Sequence, residues 1–160
     1  MANHSPVRIA PDFEIRYPDA SARATECAMN LAFTADLLVK RIAGLLQPFD
    51  LSPASGLVLG ILADSGASLP PNEIADRLII SRATVTGLLD SLESRGFVRR
   101  TAHPTDRRML LIELTDGGRQ ALAFRPLVHQ HQKEWLGVLS EKEQEQLIEI
   151  LQRVQGELKE

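Results

Sequence analysis

Apolar residues recur at helical spacing near both ends of the chain. From about Ser21 to Gln47 they are three and four positions apart, which predicts a long amphipathic helix that ends at Pro48. After Thr115 the same spacing continues to about Leu139. These two stretches predict long helices on either side of a central segment.

The C-terminal stretch contains two signals that divide it. Pro126 predicts a kink in the helix that Thr115 caps, because proline cannot donate a main-chain hydrogen bond. Ser140 and Glu143 form the Ser-x-x-Glu pattern of a capping box and predict the start of a last helix. The apolar stripe of that helix consists of Leu147, Ile150, Leu151 and Val154.

The first 20 residues have a different pattern. Apolar and polar residues alternate from Val7 to Tyr17, and a period of two is typical of an extended chain. Pro11 would confine such a segment to a sheet edge or to a role outside a sheet. We therefore expect residues 1–20 to form an extended arm that lies against another part of the protein or against a partner subunit.

The central segment combines short helices with tight turns. A nearly continuous apolar run over 54–63 predicts a buried helix. A helix over 70–78 and another over 82–95 are separated by a tight turn, with Ser81 as the cap of the second and Gly96 as its left-handed end. Two short helices joined in this way are a helix-turn-helix motif.

Two strands are predicted after this motif. They cover 97–101 and 109–114, and the connection between them contains Pro104 and is strongly polar. The predicted fold class is mainly α with a small β-hairpin wing, that is, a winged helix-turn-helix with N- and C-terminal dimerisation helices.

The order of these elements predicts a domain organisation. After the arm, residues 21–50 and 116–160 form a helical dimerisation region, and residues 51–115 form the winged helix-turn-helix domain. The terminal helices all carry apolar stripes, which they can bury against each other within one chain or across a two-fold axis. We expect a homodimer.

Composition and charge narrow the class of protein. The chain has 160 residues, 44% of them hydrophobic, one cysteine and a net charge of −3. These values disfavour a disordered tail and a disulfide scaffold. No apolar run approaches the roughly 18 residues of a membrane span, and the N-terminus has no signal-peptide pattern, so we expect a cytoplasmic protein with no membrane partner.

The acidic total disfavours a nucleic-acid partner, but the charge is unevenly distributed. Residues 77–108 contain seven arginines and three carboxylates, a local net charge of +4. Arginine suits phosphates and guanine edges, although the same residues could simply form a solvated surface.

The second helix of the motif would lie in the major groove of DNA. At 100° per residue, its outward face consists of Ala83, Thr84, Thr86, Gly87, Asp90 and Ser91. Thr84 and Thr86 can form hydrogen bonds or touch thymine methyl groups, and Arg82 can reach a phosphate or a guanine. With the cap Ser81, these residues are the predicted DNA-binding residues of the helix.

The hairpin tip carries the remaining candidates. Arg107 and Arg108 suit the narrow, electronegative minor groove. Asp106 is placed to orient the Arg108 guanidinium through a bidentate pair. The alternative is that Asp106 and the arginines form only a surface salt-bridge cluster.

Together these residues resemble the MarR family of winged helix-turn-helix regulators. The resemblance covers about Leu31 to the C-terminus. It is carried by Ser81-x-x-Thr84-Val85-Thr86, Gly96-Phe97-Val98-x-Arg100, Asp106-Arg107-Arg108 and Leu114-Thr115-x-x-Gly118. It implies an obligate homodimer that binds pseudo-palindromic DNA, usually as a repressor released by a small, often aromatic, ligand. Many members carry arginine where this chain has Gly87, which shifts more of the affinity to Arg82 and the wing.

Other candidate sites are weaker. Cys27 lies near the position of a reactive cysteine in peroxide-sensing members of the family, but the tyrosines that accompany that cysteine are absent, and an inert, partly buried thiol is the simpler interpretation. His129 and His131 lie on different helix faces and cannot chelate one metal ion. Aromatic candidates for an effector pocket are Phe33, Phe124 and Trp135, each of which core packing explains better.

No catalytic constellation or cofactor motif is present in the sequence, so we expect no enzyme, no cofactor and no metal. Two alternatives to a ligand-released regulator remain. One is a winged-helix protein-interaction module without DNA binding, which Gly87 and the acidic total favour. The other is a regulator switched by oxidation of Cys27.

Overall fold

The computed structural model describes residues 7–106 and 108–158 of the chain. The chain divides into two compact units, Met1–Pro53 and Ala54–Glu160. Its helices are α1 (Phe13–Arg16), α2 (Ala22–Leu46), α3 (Pro53–Ser65), α4 (Pro71–Leu78), α5 (Arg82–Ser94), α6 (Asp116–Ala121), α7 (Arg125–Leu136) and α8 (Glu141–Glu157). Two strands, β1 (Val98–Ala102) and β2 (Leu110–Leu114), and two 3-10 turns, Gln47–Phe49 and Leu122–Phe124, complete the regular structure of the described residues.

The described helices were also compared with the length and apolarity of a membrane span. Within residues 7–106 and 108–158, no single helix meets both requirements. One bent pair, 22–49 with 53–65, meets them only when its two helices are taken together.

The extended conformation expected for the N-terminal arm is wrong at Phe13–Arg16, which form one helical turn. Asp12 accepts main-chain hydrogen bonds from Ile15 and Arg16, and its side chain pairs with Arg16 at 3.1 Å. The rings of Phe13 and Tyr17 lie 5.1 Å apart, one helical turn from each other. These local contacts need no partner strand, which explains why they prevail over the alternating pattern. The first six residues of the predicted arm lie outside the described residues.

The segment before α1 contacts α2, as expected for an arm that lies against the protein. The main-chain N–H of Ile9 donates to the Glu26 carboxylate at 2.8 Å, and Arg8 pairs with the same carboxylate at 3.4 Å. The Asn30 amide donates to the Val7 carbonyl at 3.3 Å. Residues 7–9 are therefore attached to the first turns of α2.

The predicted helix-turn-helix is confirmed as α4 and α5. Ser81 caps α5, and its hydroxyl accepts from the Thr84 N–H at 3.1 Å. Gly96 follows the helix with φ of 72°, the left-handed conformation that favours glycine. The turn between the helices contains Ile79 at φ of 56°, where a β-branched residue is strained. The turn is closed by main-chain hydrogen bonds from Ile79 and Ile80 to the last turn of α4.

The predicted hairpin is also confirmed. Strands β1 and β2 are antiparallel, with Val98 opposite Leu114 and Arg100 opposite Ile112. A third segment, which the sequence did not reveal, joins them when Leu69 exchanges two main-chain hydrogen bonds with Ile112 at 2.8 and 3.1 Å. Ile112 is fully buried because it has neighbours on both sides.

The helix expected from Thr115 to about Leu139 is divided rather than kinked. It consists of α6, a 3-10 turn at Leu122–Phe124, and α7, which ends at Leu136. Pro126 occupies one of the first positions of α7, where its missing N–H costs no helical hydrogen bond. The capping box of Ser140 and Glu143 at the start of α8 is confirmed, and its hydrogen bonds hold the pKa of the Glu143 carboxyl below its usual value.

Candidate nucleic-acid interface

Helix α5 has the two faces that the sequence predicts. Its buried face consists of Val85, Leu89 and Leu92. All six residues predicted to point outward are exposed: Ala83, Thr84, Thr86, Gly87, Asp90 and Ser91. Ser81 and Arg82 at the start of the helix are exposed as well. A slim helical surface is therefore available over the first three turns of α5.

The hydroxyl groups on this surface already have partners within the helix. Ser81 Oγ lies 2.8 Å from Thr84 Oγ1 in addition to capping the main chain. Thr86 Oγ1 donates to the Arg82 carbonyl at 2.9 Å. Thr86 can still accept a hydrogen bond and present its methyl group, whereas Ser81 mainly defines where the helix begins.

Most of the arginines in residues 77–108 interact within the chain, a feature that the charge count did not reveal. Ion pairs join Arg77 to Glu73, Arg99 to Glu113 and Arg100 to both Asp90 and Glu93, and Arg95 lies 4.6 Å from the centre of the Phe97 ring. The net charge of +4 already counts Asp90 and Glu93, but Glu73 and Glu113 lie outside residues 77–108. The value of +4 therefore overstates what a polyanion would meet.

The ion pairs of the two β1 arginines also shift the pKa values of Glu113 and Arg100. The Arg99 guanidinium, through its hydrogen bond, lowers the pKa of the Glu113 carboxyl. The hydrogen bond that the Arg100 guanidinium donates to Asp90, and then the one it donates to Glu93, raises the pKa of Arg100. Both shifts favour the charged forms of Glu113 and Arg100.

Arg82 and Arg108 differ from the paired arginines. Among the described residues, neither guanidinium forms an ion pair with a carboxylate. Both line a cleft of about 370 Å³ in the second unit. Its walls are Pro70–Asn72 at the start of α4, Arg82 and Thr86 of α5, and Arg108–Leu110 of the wing. The cleft thus brings together candidate DNA-binding residues from the wing and from α5, the recognition helix of the motif.

The wing turn is held by main-chain contacts of Asp106. Its carboxylate accepts from the main-chain N–H of Arg108 at 2.9 Å, and its carbonyl accepts from the Met109 N–H at 3.0 Å. The bidentate pair expected between Asp106 and the Arg108 guanidinium is not formed between these two described residues. The Asp106 carboxylate binds the main chain of Arg108 instead of its side chain, so it orients the turn that carries Arg108. Arg107 lies outside the described residues.

The ring of His103 closes the same turn, a role that the sequence did not suggest. Its Nδ1 accepts from the main-chain N–H groups of Thr105 at 3.3 Å and Asp106 at 3.2 Å. The main-chain N–H of His103 donates to the Met109 carbonyl at 3.0 Å. The turn is therefore ordered from both ends.

The other candidates are not brought into this surface. Cys27 is exposed, so the expectation of a partly buried thiol is wrong. His131 pairs with Glu134 at 3.0 Å and stacks on Trp135, and no group of three or more potential metal ligands occurs among the described residues. The remaining aromatic candidates differ from each other, since Phe124 is buried and Phe33 is exposed.

A helix-turn-helix with a hairpin wing and an open arginine-lined cleft defines a winged-helix DNA-binding protein. Residues 49–109 match the MarR family. The regulator PecS of Dickeya dadantii (strain 3937) is 31% identical over 146 residues, 88% of this chain and 87% of PecS. The chain belongs to the MarR family and is a transcriptional regulator.

Solved structures agree with this assignment. The S. aureus MepR–DNA complex has a TM-score of 0.73 at 27% identity and covers 80% of this chain and 93% of MepR. A mutant of E. coli MarR with operator DNA has a TM-score of 0.74 at 25% identity and covers 91% of this chain and 99% of MarR. The fold class expected from the sequence is confirmed.

Proposed function

We propose that the protein is a homodimer that binds a pseudo-palindromic operator and represses transcription until a small molecule releases it. The observation that carries the DNA interface is the cleft lined by Arg82 and Arg108, whose guanidinium groups form no ion pair among the described residues. The similar MepR and MarR proteins were solved in complex with DNA, which supports DNA as the partner.

The cleft suits the DNA strand that separates the two grooves. When α5 lies in the major groove and the wing reaches the minor groove, that strand passes between them. Arg82 then meets a phosphate or a guanine, Thr84 and Thr86 face base edges, and Arg108 enters the minor groove. Arg107 would add a second cation to the wing tip. Asp106 supports this arrangement by ordering the turn.

The dimer is supported by the exposed apolar residues of two long helices. In α2 they are Met29, Leu31, Phe33, Leu37, Leu38 and Val39. In α8 they are Leu147, Ile148, Ile150 and Val154. Exposed apolar residues in this number are unfavourable in water, and a second copy of the chain supplies the covering surface.

Selection of bound sequences from random DNA tests this proposal. We expect a palindrome whose half-sites are about 10 bp apart. Arg108→Ala should weaken binding to all sequences and reduce the salt slope by about one phosphate equivalent per wing, whereas Arg82→Ala should also change the preferred sequence.

Arg77→Ala is the matched control, because Arg77 belongs to the same arginine-rich segment but is paired with Glu73 and does not line the cleft. It should change the affinity much less than either cleft variant. No enrichment of any sequence by the wild-type protein would contradict the proposal and favour a protein-interaction module. Equal effects of all three variants would contradict the assignment of the cleft.

Repression follows from occupancy, since a dimer on two adjacent major grooves blocks other proteins from the same DNA. Transcription from a promoter that overlaps the selected site should fall when the protein is added, and addition of small aromatic acids tests for release. Unchanged or increased transcription would contradict the repressor role.

A further inference from the structure

Arg100 of β1 is connected to two residues of the recognition helix. Its guanidinium contacts the Asp90 carboxylate at 2.6 Å and also pairs with Glu93. Its main-chain N–H donates to the other oxygen of Glu93 at 3.0 Å. Asp90 and Glu93 are three residues apart on α5 and therefore point to the same side of it. The wing and the helix are thus joined at three points by one residue.

The register of the hairpin explains why Arg100 reaches the helix. Arg100 lies opposite Ile112 and two residues from Val98, so it shares the strand face of these buried residues. Its side chain is only 27% exposed. Arg99 has the opposite orientation and pairs with Glu113 of β2 at 2.7 Å, with its side chain 66% exposed. Of these two adjacent arginines, Arg99 therefore connects the two strands of the hairpin, whereas Arg100 connects the hairpin to α5.

We infer that Arg100 is a positioning residue for DNA binding, which sets the wing relative to the recognition helix through the forked contact with Asp90 and Glu93. This inference rests on the proposed DNA interface. DNA must engage α5 and the wing at the same time, and a fixed geometry between them reduces the ordering that binding would otherwise require. Arginine suits this task because its planar guanidinium can contact two carboxylates with separate N–H groups.

The first test compares two substitutions of equal charge on one strand. Arg100→Met should reduce affinity for the selected operator about tenfold, a typical coupling within one ion-pair network, and Arg99→Met should reduce it much less. Because Arg100 acts by placing the wing, Arg108→Ala should have little additional effect in the Arg100→Met background. Equal losses for the two strand variants, or an undiminished effect of Arg108→Ala, would overturn the inference.

The second test uses the sign of the effect at Asp90. Asp90 is on the outward face of α5, and its side chain is 60% exposed. If only charge mattered, Asp90→Asn would remove a repulsion and tighten binding to the polyanion. If Arg100 positions the wing, Asp90→Asn should instead bind the operator at least about twofold more weakly, because the ion pair of Arg100 with Asp90 is lost. Tighter binding by Asp90→Asn would therefore contradict the inference.

Asp116→Asn is the control for this second test, because it removes a carboxylate that is 98% exposed on α6 and has no ion pair with Arg100. It should leave the affinity unchanged or slightly raised.

The third variant keeps the charge and changes the geometry. Arg100→Lys retains a cation but cannot contact two carboxylates with a rigid fork. We expect it to lose most of the affinity that Arg100→Met loses, and wild-type affinity would overturn the inference. The affinities of all variants are measured below their unfolding temperatures. If Arg100→Met fails to fold, the affinities of Asp90→Asn and Arg100→Lys still test the inference.

The wild-type protein separates this inference from the proposed function. If it selects no operator, the proposed function fails. If it selects one and the Arg100 variants bind it normally, only the inference fails.

Discussion

The winged helix and the long helices α2 and α8 differ in how deeply their apolar residues are buried. In the winged helix, the inward residues of α5 and the central residue of β2 are at most 1% exposed: Val85, Leu89, Leu92 and Ile112. In α8, Ile148 and Ile150 are each 54% exposed, and in α2 Phe33 is 52% exposed. The same residue types are thus buried in one region and open in the other.

This difference indicates which region is complete within one chain. The winged helix closes its own core, and its outward face is polar and carries arginines. Helices α2 and α8 have long apolar stripes whose exposure in a lone chain would be unfavourable. The first region therefore closes its own core, whereas the proposed homodimer would cover the exposed apolar residues of the second. Substitutions in each region test whether its apolar residues are buried within one chain or between two copies.

The largest effect is expected from a charge within the open stripe of α8. Ile150→Glu places a carboxylate where the proposed dimer buries an apolar side chain, so the dimer should dissociate. Affinity for the palindrome should then fall by about 100-fold or more, because two linked half-site contacts become one. Light scattering after size-exclusion chromatography measures the mass, and a titration with operator DNA measures the affinity.

Gln152→Glu is the matched control on the same helix. It introduces the same charge at an exposed position about 200° around the helix from Ile150. It should leave the mass and the affinity unchanged. A dimer that persists in Ile150→Glu would show that α8 does not form the subunit interface, and the contrast between the two regions would lose its explanation.

The contrast also shows what the sequence could predict. Elements with local signals were predicted well: the Ser81 cap, the left-handed Gly96 and the capping box at Ser140 each depend on residues within a few positions. Contacts between distant residues were missed, including the bridge of Leu69 to Ile112 and the contact of Arg100 with Asp90. The acidic pair at i and i+3 on α5 was the available signal for the second.

The candidate site was predicted in part. The outward residues of α5 follow from helical periodicity, and all of them are exposed. Counting charges could not separate the paired arginines from Arg82, because pairing depends on strand register and on the packing of α5 against β1. One local contact was also predicted wrongly: the Asp106 carboxylate binds the main-chain N–H of Arg108 rather than its guanidinium, as aspartates in turns commonly do two residues on.

An intermediate effect is expected inside the core of the winged helix. Ile112→Ala should reduce the free energy of unfolding by about 2–5 kcal/mol, the range for large-to-small substitutions at buried positions. Leu110→Ala is the matched control on the same strand face, and at 48% exposure it should cost less than about 1 kcal/mol. Denaturant unfolding measures both. Similar costs at the two positions would contradict the view that this core is closed within one chain.

The smallest changes in the free energy of unfolding are expected at two glycines, Gly87 within α5 and Gly96 just after its end. In both cases an added Cβ would meet no other atom within 4 Å, so space does not distinguish them. Gly96 has φ of 72°, and Gly96→Ala should reduce the free energy of unfolding by about 1–2 kcal/mol through backbone strain. Gly87 is within the helix, and Gly87→Ala should increase it by about 0.5–1 kcal/mol. Thermal unfolding compares the pair, and loss of stability in Gly87→Ala would contradict the regular helical backbone at that position. A more stable Gly87→Ala that binds operator DNA less tightly would show that the outward face of α5 is shaped for DNA rather than for stability.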